Sequence, residues 1–212
     1  MDGLTRYASP VRGPQGLAWD GTTMWVTSAA NGRLYALDPQ AWSIQGEFVP
    51  PAEALGITAT GTDFRLILAP AIEEPDPELD HRYVYRFSPE AGFAECFLCP
   101  DNSGSFLAHA NGTLYLSQAW DKKLIELDER GAAVRELHLR RRPVGVTIVD
   151  GAFYLATVDD EWNDGRIERL SVDADPASIE TLRSLPFKPR SVAFDGERFW
   201  TADRNNHAIV SF

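Results

Sequence analysis

Five similar segments recur along this chain, and a repeat of this kind constrains the fold more than any other feature. Each segment joins a short apolar run to a second run through a turn that ends in glycine. The centres of the second runs lie at residues 25, 65, 115, 154 and 200, so successive centres are 40, 50, 39 and 46 residues apart. Spacings of about 40 to 50 residues are typical of β-propeller blades. The sequence therefore predicts a ring of five blades.

Each repeat predicts four short antiparallel strands, here called strands a to d. The turn between strands a and b is Asp-Gly, Asn-Gly or Thr-Gly, which favours a tight hairpin. Strand c alternates between apolar and polar residues, as residues 123–128 do. The last repeat ends after its strand c at residues 208–212, and residues 3–8 are free to supply the missing outer strand and close the ring. We predict one all-β domain over residues 1–212; the alternative is two packed domains of mixed type.

Composition limits the partners of the chain. It has 212 residues, of which 20 are basic and 31 acidic, and its formal net charge is -11. An acidic surface repels phosphate groups, so we expect neither nucleic acid nor an anionic membrane as a partner. The N-terminus lacks the pattern of a signal peptide, and no apolar run approaches the ~20 residues of a transmembrane helix. These features favour a cytoplasmic location.

Function is expected on one face of the ring, the face that carries the b–c and d–a loops. The b–c loops there differ widely, from residues 29–31 in the first repeat to residues 70–81 in the second, with residues 159–165 in the fourth. Long irregular loops usually carry function. We call this side the variable face, and the end of the central channel on it the mouth. Five acids of the long loop lack the spacing of a calcium-binding loop and predict a solvated lid: Glu73, Glu74, Asp76, Glu78 and Asp80.

Several repeats resemble those of known propeller families. Residues 189–212 resemble an NHL repeat throughout, and the whole chain is similar to the group that includes streptogramin lyase and the regucalcin-type lactonases. The blade count most resembles the plant-type glutaminyl cyclotransferases, whose first blade opens with Gln-Gly-Leu, as residues 15–17 do. Leu55 stands where that family has a glutamate, no asparagine lies near Val144, and Arg204 replaces a lysine. Most of that family's catalytic set is therefore absent.

Polar side chains at the inner strand ends are expected to meet at the mouth. The carboxylates of Glu53, Asp159 and Asp203 predict a Ca²⁺ or Mg²⁺ site, because these ions prefer oxygen ligands. Such an ion would polarise a carbonyl group or lower the pKa of bound water, and the resemblance to the lactonases implies chemistry of this kind. Alternatively, the acids are solvated or pair with Arg190 and Arg204. No organic cofactor is expected.

Other side chains on the variable face complete the candidate site. Trp120 and Trp162 would either stack on a ligand ring or sugar, or cover the cores of the loops. Residues 140–142 are three arginines, which would either clamp a substrate carboxylate or pair with the acidic loops. Cys96 and Cys99 lack a second pair for zinc and are expected as buried thiols. The catalytic candidates are Asp203, Asp159, Arg190 and His207; the ligand-binding candidates are Gln15, Gln118, Trp120, Trp162 and Arg204.

The sequence favours a small-molecule enzyme at the mouth, of the hydrolase, lyase or isomerase type, with or without a divalent ion. Two alternatives stay open: a binder of small molecules or sugars without catalysis, and a protein-interaction scaffold of the NHL type. The elaborate loops on one face favour the first two functions. The oligomeric state is left open.

Overall fold

A computed structural model describes residues 3–70 and 81–212 and contains five four-stranded antiparallel sheets. The first three blades comprise β2 (Pro14–Trp19), β3 (Met24–Ser28), β4 (Leu34–Leu37) and β5 (Ile44–Phe48); β6 (Glu53–Ala59), β7 (Phe64–Ala69), β8 (Tyr83–Ser88) and β9 (Gly92–Leu98); and β10 (Phe106–Ala110), β11 (Thr113–Gln118), β12 (Lys123–Leu127) and β13 (Ala133–His138). The fourth blade comprises β14 (Arg142–Val149), β15 (Ala152–Val158), β16 (Gly165–Ser171) and β17 (Glu180–Leu185). The fifth comprises β18 (Pro189–Phe194), β19 (Phe199–Asp203), β20 (Ala208–Ser211) and β1 (Thr5–Ala8).

The two ends of the chain close the ring, as the sequence predicts. Strand β1 pairs antiparallel with β20, and Thr5 lies opposite Ser211 while Ala8 lies opposite Ala208. This pairing removes the open edge that β20 would otherwise present. The remaining regular structure in the described ranges consists of three 3₁₀ turns of three residues each, at Pro100–Asn102, Pro176–Ser178 and Arg204–Asn206. No helix within those ranges is long and apolar enough to cross a membrane.

The a–b turns follow the chemistry predicted for them. In the third and fourth blades both central residues of the turn have positive φ, as at Asn111 (51°) and Gly112 (81°), which is the geometry of a type I′ hairpin turn. In the first blade the turn aspartate has a second role, since Asp20 accepts a hydrogen bond of 2.6 Å from the indole of Trp25. Asp195 accepts an equivalent bond of 2.7 Å from Trp200 in the fifth blade. The turn thereby fixes the buried aromatic residue of strand b.

The inner strands meet so closely at the waist of the ring that side chains are excluded there. A Cβ atom on Gly145 would lie 2.4 Å from the backbone of Ser191, and one on Gly16 would lie 2.5 Å from the carbonyl oxygen of Leu55. Small residues are therefore required where these inner strands converge. Because the backbones are in contact here, a larger residue at either position would force the inner strands apart.

The apolar core lies between neighbouring blades, where the faces of adjacent sheets pack together. The largest cluster joins the third, fourth and fifth blades around Phe153, Leu155 and Ile167, all with no exposed surface. The prediction of two buried thiols is half wrong. Cys99 is 2% exposed and belongs to the core, whereas Cys96 is exposed, because it lies on the outer strand β9, most of whose residues face solvent.

Candidate ligand site at the mouth of the ring

The mouth on the variable face holds a cavity of about 140 Å³. A second cavity of about 170 Å³ adjoins it, since Trp162, Arg190 and Arg204 line both. The described part of each lining is basic and contains no carboxylate, because Arg82 lines the first cavity and Lys188 the second. Apolar side chains complete the wall of the first cavity: Leu55, Phe106, Ala119 and Val144. A basic mouth in a chain of net charge -11 is a local concentration of positive charge.

Arg190 and Arg204 are the central cations of the mouth. Burial, together with the nearby charge of Arg204, lowers the pKa of Arg190 to about 10. Arg190 donates a hydrogen bond of 3.2 Å to the carbonyl oxygen of Pro189, and Arg204 donates one of 2.9 Å to Oε1 of Gln15. Neither guanidinium forms an ion pair within residues 3–70 and 81–212. The two like charges therefore lie close together without a compensating anion from the described chain.

Irregularities in the inner strands aim Gln15 and Arg190 at the mouth. The pairing of β2 with β3 shifts register between Pro14 and Leu17, and that of β18 with β19 shifts between Arg190 and Ala193. Such bulges turn side chains away from the regular alternation of a strand. Buried hydroxyl groups of strand b satisfy the backbone groups that the bulges release, for example Thr27, which accepts a hydrogen bond of 2.7 Å from the N–H of Gly16. The bulges thus place polar side chains at the channel end.

The b–c loop of the fourth blade is built to hold Trp162. This residue has a φ of 60°, in the left-handed region that bulky side chains rarely adopt. Its N–H donates a hydrogen bond of 3.2 Å to the carbonyl oxygen of Asp159, and the Asp159 carboxylate accepts one of 2.6 Å from the N–H of Asn163. Arg141 pairs with Asp164 at 3.2 Å at the end of the same loop. These contacts fix Trp162 beside Arg190, whose guanidinium carbon lies 5.2 Å from the indole centroid.

Trp120 stands opposite this loop and is fixed by Arg142. The guanidinium carbon of Arg142 lies 5.0 Å from the Trp120 ring centroid and 5.3 Å from that of Trp162, and Arg142 also donates a hydrogen bond of 3.1 Å to the carbonyl oxygen of Trp120. The two indole rings are 5.0 Å apart and inclined by 60°. Trp120 is nevertheless 63% exposed. Arg141 and Arg142 hold loops in place, so these two side chains do not form the carboxylate clamp that was one of the two roles predicted for residues 140–142.

The three carboxylates expected to form a metal site are not brought together. Asp203 is buried and pairs with Arg6 of the outer strand, the Asp159 carboxylate caps its own loop, and Glu53 lines a separate groove with Asn31. Within residues 3–70 and 81–212 no group of three or more His, Cys, Asp or Glu side chains is arranged to hold a metal ion. Each of these acids therefore has a place or a partner of its own, apart from the other two.

Two other candidates lie outside the cavities. Gln118 is fully buried and donates hydrogen bonds of 2.7 and 3.0 Å to the carbonyl oxygens of Pro100 and Ser103, which fixes the connection between β9 and β10. His207 is exposed, and its Nδ1 accepts a hydrogen bond of 3.0 Å from the N–H of Gly13 across the ring closure. The acids predicted to form a lid, between residues 73 and 80, lie outside the described residues.

Arg82 is a site residue that was not among the candidates predicted from the sequence. It lines the mouth cavity and donates a hydrogen bond of 2.7 Å to the carbonyl oxygen of Gly104. Its position was available from topology alone, because it precedes strand β8 and therefore returns to the variable face from the b–c connection of the second blade. The mouth thus combines three arginines, one glutamine and two tryptophans, and all five blades contribute to it.

Fold and site together define a five-bladed β-propeller with a basic, aromatic-lined mouth. Searches with family models and against curated proteins match nothing. Solved structures do match. A glutaminyl cyclase from Myxococcus xanthus has a TM-score of 0.69 at 13% identity and covers 98% of this chain and 93% of its own. Virginiamycin B lyase from Staphylococcus aureus has a TM-score of 0.57 at 14% identity, covering 99% and 98%. Regucalcin from Agrobacterium tumefaciens, described as a calcium-binding protein, has a TM-score of 0.59 at 12% identity, covering 97% and 91%.

These similarities confirm the propeller resemblance predicted from the sequence, at the level of the fold. The structures compared include a lyase, a cyclase and a calcium-binding protein, so the architecture accommodates enzymes, and propellers in general carry unrelated functions. A divalent cation does not fit the mouth described here, because its lining presents guanidinium groups where such an ion needs carboxylate or carbonyl oxygens.

Proposed function

We propose that this propeller binds a small organic anion, bearing a carboxylate or phosphate group, at its mouth. The observation that carries the proposal is the pair of Arg190 and Arg204, which line a shared cavity and have no carboxylate partner among the described residues. Guanidinium groups are well suited to carboxylates and phosphates because they donate two parallel hydrogen bonds. The anionic group would occupy the position that a protein carboxylate takes in an ordinary ion pair.

The electrostatics support an anion here. Desolvation and a neighbouring like charge both disfavour the charged form of Arg190, which is why its pKa is lowered to about 10. A bound anion would reverse both effects by supplying an opposite charge and new hydrogen bonds. Arg204 is held toward the cavity by Gln15, so its remaining N–H groups are positioned before the ligand arrives. Preorganised donors of this kind reduce the entropy lost on binding.

A second candidate is an enzyme of the lyase, isomerase or hydrolase type that acts on the same anion. The specific observation in its favour is that Arg190 and Arg204 line the same cavity, so both can contact one reacting group. The two guanidinium groups would also stabilise negative charge that develops on a carbonyl or carboxylate oxygen during reaction. Asp159, Asp203 and His207 have no assigned step in this proposal, because none of them lines either cavity.

Isothermal titration calorimetry with acetate, inorganic phosphate and benzoate tests the binding proposal directly. We expect at least one of these anions to bind, more weakly at high ionic strength because charge pairing contributes. Arg190→Met should weaken binding by about tenfold or more, the loss expected for a hydrogen bond to a charged group. Arg169→Met is the matched control, since Arg169 is an exposed arginine outside both cavities.

The outcomes separate the three candidate functions. Binding that is lost in Arg190→Met and kept in Arg169→Met supports the proposed site. Equal loss in both variants would indicate nonspecific attraction and contradict it. Failure of all three anions to bind would remove the basis for the site and favour the protein-interaction scaffold. If a bound anion is also converted, and conversion is lost in Arg190→Lys while binding persists, the enzyme candidate is supported.

A further inference from the structure

We propose that the natural ligand is an aromatic carboxylate whose ring stacks on Trp120 while its carboxylate contacts Arg190 and Arg204. This inference rests on the proposed function and specifies its ligand. The three side chains line one cavity, so a single small molecule reaches all of them. The volume of about 140 Å³ suits a single aromatic ring with a short acidic substituent.

Trp120 is the exposed surface that the ligand ring would cover. At 63% exposure, Trp120 is the most exposed aromatic residue among the described residues. It is not loose, because Arg142 stacks on it and donates a hydrogen bond to its carbonyl oxygen, while the Arg142 side chain is itself only 14% exposed. A water-exposed indole that already packs on a largely buried arginine is a favourable stacking surface, since less conformational freedom is lost when a ligand covers it.

The balance of donors and acceptors favours a hydrocarbon ring over a sugar. The described cavity offers several N–H donors from Arg190 and Arg204 and few free acceptors. Its amide acceptor, Oε1 of Gln15, already accepts a hydrogen bond from Arg204, and the hydroxyl oxygen of Ser105 accepts one from a backbone N–H. Each sugar hydroxyl must donate as well as accept, so several would lose their water partners without replacement. A carboxylate only accepts, and a phenyl ring needs neither.

The apolar lining of the cavity also favours a hydrocarbon ring over a sugar. Four hydrocarbon residues also line the cavity: Leu55, Phe106, Ala119 and Val144. Leu55 is half-buried and the other three are buried, so this wall offers a small apolar surface, which a hydrocarbon ring covers better than a polyhydroxylated ring. The basic part of the cavity therefore selects the anionic group, and the aromatic and aliphatic part selects the rest of the molecule.

Calorimetric titration with benzoate, acetate and gluconate tests the inference. All three carry one carboxylate, and they differ in whether the rest is aromatic, minimal or polyhydroxylated. We expect benzoate to bind most tightly. Trp120→Ala should weaken benzoate by about two- to twelvefold, the value of one aromatic pair, and should leave acetate unchanged. Trp120→Phe should restore most of the benzoate affinity, which a purely structural role of the indole would not predict.

Two results would overturn the inference while leaving the proposed function standing. The first is gluconate binding as tight as benzoate binding, and the second is a benzoate affinity that is the same in Trp120→Ala as in the wild type. If none of the three carboxylates binds the wild-type chain, the proposed carboxylate site itself fails, and the aromatic specificity fails with it. Because Trp120 is exposed, its variants are expected to fold, and circular dichroism verifies this for each.

Discussion

Replacing Asp203 with asparagine separates a structural role of this residue from the catalytic role that the sequence suggests. The carboxylate is 1% exposed and pairs with Arg6, and it accepts hydrogen bonds of 3.3 and 2.9 Å from the N–H and the side-chain amide of Asn206. Asparagine keeps one acceptor oxygen and so keeps the cap on the backbone N–H. It puts an NH₂ donor against the donors of Arg6 and the Asn206 side chain, so those two contacts are lost.

The magnitude follows from these contacts. Hydrogen bonds to charged groups contribute about 1.5–3 kcal/mol each. Arg6 is 43% exposed on its side chain, so water compensates part of its loss. We therefore expect Asp203→Asn to lower the free energy of unfolding by about 2 kcal/mol, which corresponds to roughly 4–8 °C in Tm for a chain of this length. Benzoate affinity should not change, because Asp203 lines neither mouth cavity.

Thermal unfolding followed by circular dichroism and calorimetric titration with benzoate measure the two quantities separately. Arg190→Met is the opposite comparison, with weaker binding and little change in Tm expected, since its contacts face the cavity. An unchanged Tm for Asp203→Asn combined with a tenfold loss of benzoate affinity would refute the placement of this carboxylate at the ring closure. It would also restore the sequence-based view of Asp203 as a residue of the site.

Three further predictions concern the fold. Burial raises the pKa of Asp195, but its hydrogen bonds outweigh this effect and lower the pKa overall. These bonds therefore stabilise the fold at pH values above the unfolded pKa of about 3.9, and this stabilisation is lost as the pH falls through the lower pKa of the folded state. In urea unfolding, Asp195→Asn should make the free energy of unfolding less dependent on pH in this acidic range. Gly145→Ala places a Cβ atom 2.4 Å from the backbone of Ser191 and should lower the free energy of unfolding by about 3 kcal/mol. Gly112→Ala, where only the positive φ is strained, should lower it by roughly 1 kcal/mol. Chemical denaturation compares the two variants. A thiol reagent should label Cys96 in the folded protein and Cys99 only after unfolding, because burial raises the pKa of Cys99 to about 12; labelling of both thiols in the folded state would contradict this.

Much of the fold follows from local features of the sequence. The Asn111–Gly112 turn specifies its hairpin through the φ values that these two residues tolerate, without help from distant contacts. The run at residues 208–212 predicts a strand, and the structure pairs this strand with β1. The blade period then fixes the ring, and strand direction alone determines which loops lie on the variable face.

The composition of the site depends on contacts that no local pattern records. Arg6 and Asp203 are 197 positions apart, and only ring closure brings them together. Asp203 ends strand β19 on the variable face, yet its carboxylate pairs with Arg6 of the outer strand β1 and lines neither mouth cavity. Gln15 and Arg190 reach the mouth because bulges redirect them, and bulges depend on how two strands pair. The sequence alone determines the number of blades and which loops share the variable face. Tertiary packing decides that basic and aromatic groups meet at the mouth, while Glu53, Asp159 and Asp203 do not.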